Sequence, residues 1–593
     1  MLRAQNADDE VPVAKVHLRS EVLTIMVAIL ITSIAVVLIY QLWDLHPRVP
    51  ILYSGDGLLT LNGLRNMRFG SWYWSTDKLG APFGQDLHDF PAVADNLHLI
   101  ILWIGVKLFR DEVLTFNLYF FGSYLLTTIG GYIGARMLRL NRPAAVLIGV
   151  TYSFLPYHYI QGPGHLYLAA YWAIPLWATF LIRELMDDSI CPQLPNSRSL
   201  GSLFEWCRTP QVLLISVISI LAASTGLYYA FFFLMLASFV LAIRRASQKS
   251  PCQWLPTAWA LCVSIGILAL QYLPIWLYQR SNGNNLSIVQ RTVAAVEFYS
   301  LKLSNMVLPI TGHRISALAE LRNRSNPAYL IGEGSDALGL LGSIGLVALI
   351  AIAIYRLTRN KEGLSTALSS FTVMAILICT VGGLAQVIAV LGFTQLRVWS
   401  RMSVVIAFPA IVYSVTLLSH LLRNRKKMVL VTTLTAVGAL SILDTNAGHQ
   451  LPSYNATART WEIDRSLVMQ IEQKLGANAS VFQLPIVPFP ENPPVVNMTD
   501  YDHLRGYLHS STLHWSYGGV KGRVSLSTEI DSNALDSFLR KVYAQGFRAV
   551  WVNLKGTTDN GKLIREDFAR LQILPFAMSS DIEVFEIPSF FGR

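Results

Sequence analysis

Long apolar runs dominate the chain, and short polar stretches separate them. The first run, Val22 to Tyr40, matches the roughly 20 residues a helix needs to cross a hydrocarbon core. With the runs at 113–138, 143–160, 166–186, 211–223, 226–243, 254–273, 338–357, 368–391, 402–422 and 427–443, eleven spans are expected. Ser224-Thr225-Gly226 breaks the pair within 211–243, which predicts either two short spans or one kinked helix. No small-residue cleavage site follows the first run, so it reads as an uncleaved anchor behind a tail, 1–21.

Two loops interrupt this rhythm, 42–112 and 274–337, and the hydropathy falls after 443. The first loop is long enough to hold its own helices, Leu58–Phe69 and Asn96–Phe109, expected along the membrane surface with Trp72, Tyr73, Trp74 and Trp103 at headgroup depth. Residues 444–593 suffice for one small domain. Val481–Leu484, Ala549–Asn553 and Ile582–Ile587 read as strands and Asn533–Gln545 as a helix, an α/β layer order. The expected fold class is therefore a polytopic α-helical membrane domain, 22–443, followed by a C-terminal extracytoplasmic α/β domain.

Composition agrees: of 593 residues 53% are hydrophobic and 14% charged. The net charge of +10 raises nucleic-acid binding as an option, but the basic residues sort by loop. Arg136, Arg139 and Arg142 fall in one short loop, and Arg244, Arg245, Lys249, Arg356, Arg359, Lys361 and Arg423 to Lys427 in later ones on the same side, whereas the loops at 157–165 and 224–226 have none. By the positive-inside bias the N-terminus is cytoplasmic, and both long loops and the C-terminal domain face outward. No nucleic-acid partner is expected. The cysteines lie in cytoplasmic segments or spans, with no disulfide framework or CxxC metal site.

Candidate chemistry gathers on the outward side. Tyr53 to His98 holds Asp56, Asp86, Asp89 and Asp95 beside the bilayer, where a carboxylate can take a proton from a hydroxyl or two can hold a divalent cation such as Mg²⁺. Asp56 before Gly57 and Asp95 before Asn96 also suit turns or helix caps. His158 and His165 flank Gly162-Pro163-Gly164 between two spans. Arg280, Arg291, His313 and Arg314 in the second loop, and Arg397 and Arg401 near a span end, run against the charge bias, and phosphate binding is one explanation. In the C-terminal domain QLPIVPFPENPP and RGYLHSSTLHWSYGGVKGR read as binding loops, with Lys521 and Arg523 as candidate sugar or acceptor contacts beside His509, His514 and Trp515.

In layout, and at Gly55-Asp56, Asp86, Asp89, Asp95 and PYHYIQGPGH, the chain resembles the GT-C superfamily of integral membrane glycosyltransferases, closest to its poorly characterised bacterial members. The WWDYG-type motif of oligosaccharyltransferases is missing, which argues against asparagine-linked transfer. The resemblance implies transfer of a sugar from a polyprenyl-phosphate donor to a glycan, lipid or protein acceptor outside a bacterial cytoplasmic (inner) membrane. It makes Asp56 the general base or an acceptor-orienting carboxylate and Asp86 or Asp89 the second acid, and leaves metal use open. A flippase for lipid-linked sugars and a phosphoglycerol-type transferase are the alternatives.

Overall fold

Among the described residues seven helices are long and apolar enough to cross a membrane: Arg19–Tyr40, Glu112–Met137, Leu227–Ala246, Trp254–Asn282, Gly339–Arg356, Trp399–Leu421 and Lys427–Thr445. The computed structural model describes residues 13–186, 200–247, 251–288, 291–324, 332–356, 363–446, 451–524 and 535–592. The other four expected runs form shorter helices, Arg142–Ser153, Ile174–Leu185, Pro210–Ser224 and Leu364–Cys379. Proline and glycine account for this. Pro156 opens a new short helix after Ser153, and Gly382-Gly383 separates Leu364–Cys379 from Leu384–Val390. The break expected at 224–226 is present, and makes two helices of that pair.

The bundle core is aromatic and aliphatic, with Tyr152, Trp177, Phe232, Phe233 and Phe408 fully buried. Glu21 pins one end of the first helix, bonding Arg136 at 2.7 Å and Arg142 at 2.9 Å. At the other end Tyr40 leads into the first long loop, which contains the helices Asp56–Phe69 and Asn96–Phe109.

Asp56–Phe69 packs into the protein along one side. Leu58, Leu61, Leu64 and Met67 are fully buried, in one core with Leu467, Val468, Ile471 and Trp515 of the C-terminal domain. Each such side chain contributes about 1.5–3 kcal/mol on burial. Trp72 and Trp74 pack against this shared core, and Tyr73 is buried, its hydroxyl accepting the Ala92 N–H at 3.0 Å. Arg65 secures the contact by donating to Glu112 and to the Ser510 carbonyl. Asn96–Phe109 does keep an apolar exposed face, Ile100, Trp103, Ile104 and Leu108.

The first loop also holds a short hairpin, β1 (Ser75–Thr76) and β2 (Gln85–Asp86). The C-terminal sheet comprises β3 (Ser480–Leu484), β4 (His514–Trp515), β5 (Phe547–Asn553), β6 (Pro575–Met578) and β7 (Ile582–Glu586), in the order β4-β3-β5-β7-β6. β3 runs parallel to β4 and β5, while β7 is antiparallel to β5 and β6. Strands expected from sequence match β3, β5 and β7, and the expected helix is Leu535–Ala544, with 533–534 outside the described residues. The hairpin tip joins the free edge of this sheet, since Trp515 N–H donates to the Lys78 carbonyl and Ala81 N–H to the Trp515 carbonyl, both at 2.9 Å.

Candidate active site

Asp56 opens its helix directly after Gly55, whose φ of +53° is a conformation that L side chains rarely adopt. Across from it, Gly162 at φ +52° turns the chain after the short helix Pro156–Gln161, where a Cβ would come within 2.7 Å of the Tyr159 carbonyl oxygen. The two turns bring His165 Nδ1 to 3.1 Å from Asp56 Oδ2, both side chains about two-fifths exposed, at 41% and 40%. The couple opens into a cavity of about 660 Å³ lined also by Asp95, Asp500, Arg291, Arg397, Arg401, Glu491 and Tyr501. Elements from the first loop, the second loop, the bundle and the C-terminal domain all contribute to it.

Its cations are committed unequally. Arg401 is buried and forks onto Glu333 at 2.5 and 3.1 Å, with Gln161 donating to the same carboxylate at 2.9 Å. Burial alone would raise the Glu333 carboxyl, but the Arg401 charge prevails and holds it below its ordinary range. Arg291 pairs with Glu491 at 2.5 Å. Arg397 rests over the Tyr299 ring, its guanidinium carbon 5.3 Å from the centroid, and has no carboxylate partner among the described residues.

Two further acids are under strain. Asp95 makes no cap bond to the helix that follows it, and lines the cavity instead. Burial pushes its carboxyl up to about 7. Asp500 is raised as well, by burial first and then by the negative charges of Asp56 and Asp502. Its Oδ1 is buried without a hydrogen-bond partner among the described residues. Neighbouring Tyr501 sits at φ +65°, uncommon for so bulky a side chain. Among the described residues no group of three or more His, Cys, Asp or Glu side chains converges as a metal site.

Of the residues singled out in the sequence, Asp56, Asp95, His165, Arg291, Arg397 and Arg401 therefore meet in one cavity. The others lie elsewhere. Asp86 holds His88 Nδ1 at 2.6 Å, and Asp89 is forked by Arg523 at 2.5 and 2.8 Å and bonded by Asn285 at 3.2 Å. His98 is buried on Tyr119 and stacks on Tyr167. His158, expected at the turn, is fully buried, bonded to Ser123 at 2.8 Å and stacked 3.6 Å from the Tyr124 ring. His313 meets Asp444 at 3.2 Å and Arg314 donates to the Asn446 carbonyl, so both fix the end of the last span. Arg280 is exposed over Trp276. Lys521 donates to the Glu491 carbonyl at 3.2 Å and faces a second cavity. In the segment with Lys521, Trp515 is core, not a contact surface.

Tyr228, Asp500 and Tyr501 line the cavity without having been singled out, and Glu333, also unflagged, holds Arg401 at its wall. The proline-rich segment did flag Glu491 and Asn492. A buried Arg401 implies a counter-charge, but not that Glu333, 68 residues earlier, supplies it.

This bundle with its helical first loop and appended α/β domain has the overall fold of membrane proteins solved before. No protein-family model matches the chain, and no curated protein is similar to it in sequence. In fold it is similar to ArnT from Cupriavidus metallidurans, solved bound to undecaprenyl phosphate, with a TM-score of 0.50 and 12% identity over 95% of this chain and 99% of that one. The oligosaccharyltransferase of Archaeoglobus fulgidus aligns over 89% of this chain and 68% of its own at 12% identity and a TM-score of 0.45.

Proposed function

We propose that the chain is a glycosyltransferase that moves a sugar from a polyprenyl-phosphate donor to an acceptor on the outer side of a bacterial cytoplasmic membrane. The observation that carries this is the cavity in which the Asp56–His165 couple and three arginines converge. ArnT, of similar fold, was solved bound to undecaprenyl phosphate, and a cavity lined by three arginines, one of them without a carboxylate partner among the described residues, suits such a lipid phosphate here.

Asp56, held by His165, takes the proton of the acceptor hydroxyl. The freed oxygen bonds to the anomeric carbon as the bond from that carbon to the phosphate oxygen breaks, and the electron pair leaves with the phosphate. Arg397, with no carboxylate partner among the described residues, meets the growing charge, while Arg401 and Arg291 frame it. Asp95 and Asp500 take the place of the second acid, because Asp86 and Asp89 stand outside the cavity.

A general base contributes about 10²–10⁴-fold. In a strain lacking the protein, wild type restores the missing surface-glycan mass by mass spectrometry, and Asp56→Asn, expressed at the same level, does not. Restoration by the variant would remove Asp56 as the base. Arg397→Ala weakens binding of a polyprenyl phosphate in detergent by about 10–100-fold, the size of a lost charge-assisted hydrogen bond. Unchanged affinity would end its phosphate role.

A further inference from the structure

A second cavity, of about 280 Å³, lies in the C-terminal domain between Ile486–Phe489 and the turn Tyr517–Gly522, with Gly80 of the first loop at its side. Its volume is near the lower end of ligand cavities, about 300–1,000 Å³, and fits one small ring. The transfer chemistry above makes no use of it. It nonetheless shares a loop with the reaction cavity: Ile486 to Phe489 face the second cavity, and Glu491 to Pro493 line the first. A gap of about 10 Å³, room for a single water, lies between them, bordered by Asp500 and Tyr501 of the first and by His503 and Tyr517 of the second.

The polar groups of this cavity are fixed and partly unsatisfied. His503 is buried, and its Nε2 lies 2.8 Å from the Pro485 carbonyl, which can only accept, so Nε2 carries the proton. Nδ1 is left as a bare acceptor, buried and without a partner among the described residues. Burial pushes the imidazole down to about 4 and keeps it neutral. The Ser516 hydroxyl accepts the Gln483 N–H at 2.8 Å, which leaves its own proton to donate. Lys521 offers the ammonium protons left over from its bond to the Glu491 carbonyl. Phe482, Phe489 and Val487 supply apolar walls.

One acceptor, two kinds of donor and aromatic walls match a ring with C–H faces and hydroxyls that both give and receive hydrogen bonds. An acyl chain would offer no acceptor to the Ser516 hydroxyl or the Lys521 ammonium. Building on the glycosyl-transfer reading, we propose that this cavity is a subsite for a sugar ring of a glycan acceptor, held across the 486–493 loop from the ring that reacts at Asp56.

The test uses the full-length protein in detergent and ligand-observed NMR titrations with di- and trisaccharides of glucose, galactose, mannose and N-acetylglucosamine. Ile486→Trp fills the cavity from its rim, where Ile486 is 45% exposed and the packed core is undisturbed. His503→Phe removes the acceptor. Expected is saturable binding of at least one sugar to wild type and to Asp56→Asn, weakened about 10-fold or more in Ile486→Trp and in any folded His503→Phe. No saturable binding to wild type, or equal binding to Ile486→Trp, overturns the subsite. The two readings fail separately, because sugar binding that survives in Asp56→Asn reports on the subsite and the glycan mass reports on transfer.

Discussion

Asp56 and Asp95 sit at the starts of two helices and line the reaction cavity, whereas Asp86 and Asp89, in the segment between them, face His88 and Arg523. All four come from one acidic stretch next to a span, and composition marks them equally. What separates them is where each carboxylate points and what it meets there. Asp89 is met by a guanidinium from the C-terminal domain, which also donates to the carbonyls of Asn282 and Gly283, so this acid closes a three-way joint between both long loops and that domain. Asp56 meets only a half-exposed histidine, and Asp95 no cation at all among the described residues. A carboxylate held in a fork is stabilised and unreactive, and one left in a cavity remains available to a substrate.

The strongest test of that division is Asp89→Ala. Truncating one partner of a buried, hydrogen-bonded charge pair costs about 2–5 kcal/mol, and the Asp89 side chain is 1% exposed. The apparent melting temperature in detergent should fall clearly, and Arg523→Ala should add little on top, since both changes break the same joint. A variant as stable as wild type would make Asp89 a free acid and erase the contrast with Asp56.

Asp95→Asn should act in the opposite sense. With its carboxyl raised to about 7 against an ordinary 3.8, the folded chain holds this proton more tightly than the unfolded one. Wild type therefore loses stability as pH rises from about 4 to about 7, and carries the whole cost above that. The asparagine variant lacks this slope and melts higher above pH 7, by on the order of 2 kcal/mol once solvent in the open cavity is allowed for. Identical pH profiles of the melting temperature in wild type and variant would show that Asp95 is not desolvated.

The helical framework was legible because hydropathy and loop length act locally. Val22–Tyr40, Leu58–Phe69 and Asn96–Phe109 all became helices near their expected limits, and Ser224 to Gly226 became the break. Proline and glycine shortened the runs at 143–186 and 368–391, an effect that average hydropathy does not register. At the site, the Asp56 and His165 turns carried glycine marks and could be found. The role of His158 could not, since seven residues separate two histidines that face a protein core in one case and a cavity in the other. Asp500 and Glu333 have no local mark whatever, and only the folded contact between distant segments assigns them.

The smallest expected effect falls on Asp86, and it is the most direct way to break the comparison. Asp86 is 46% exposed and bonds a partly exposed His88, an arrangement worth about 0–1 kcal/mol in water. Its backbone is fixed independently by the β1–β2 pairing, in which Asp86 faces Ser75, and by the stacking of His88 on Tyr278 at 4.8 Å. Asp86→Asn keeps both of these and retains an oxygen to accept the His88 N–H. Stability should therefore change by less than about 1 kcal/mol, and the surface-glycan mass should be restored as by wild type, while Asp56→Asn fails to restore it. If Asp86→Asn instead removed transfer as completely as Asp56→Asn does, the reacting groups would extend to the hairpin, and the line drawn here between a cavity acid and a structural acid would run in the wrong place.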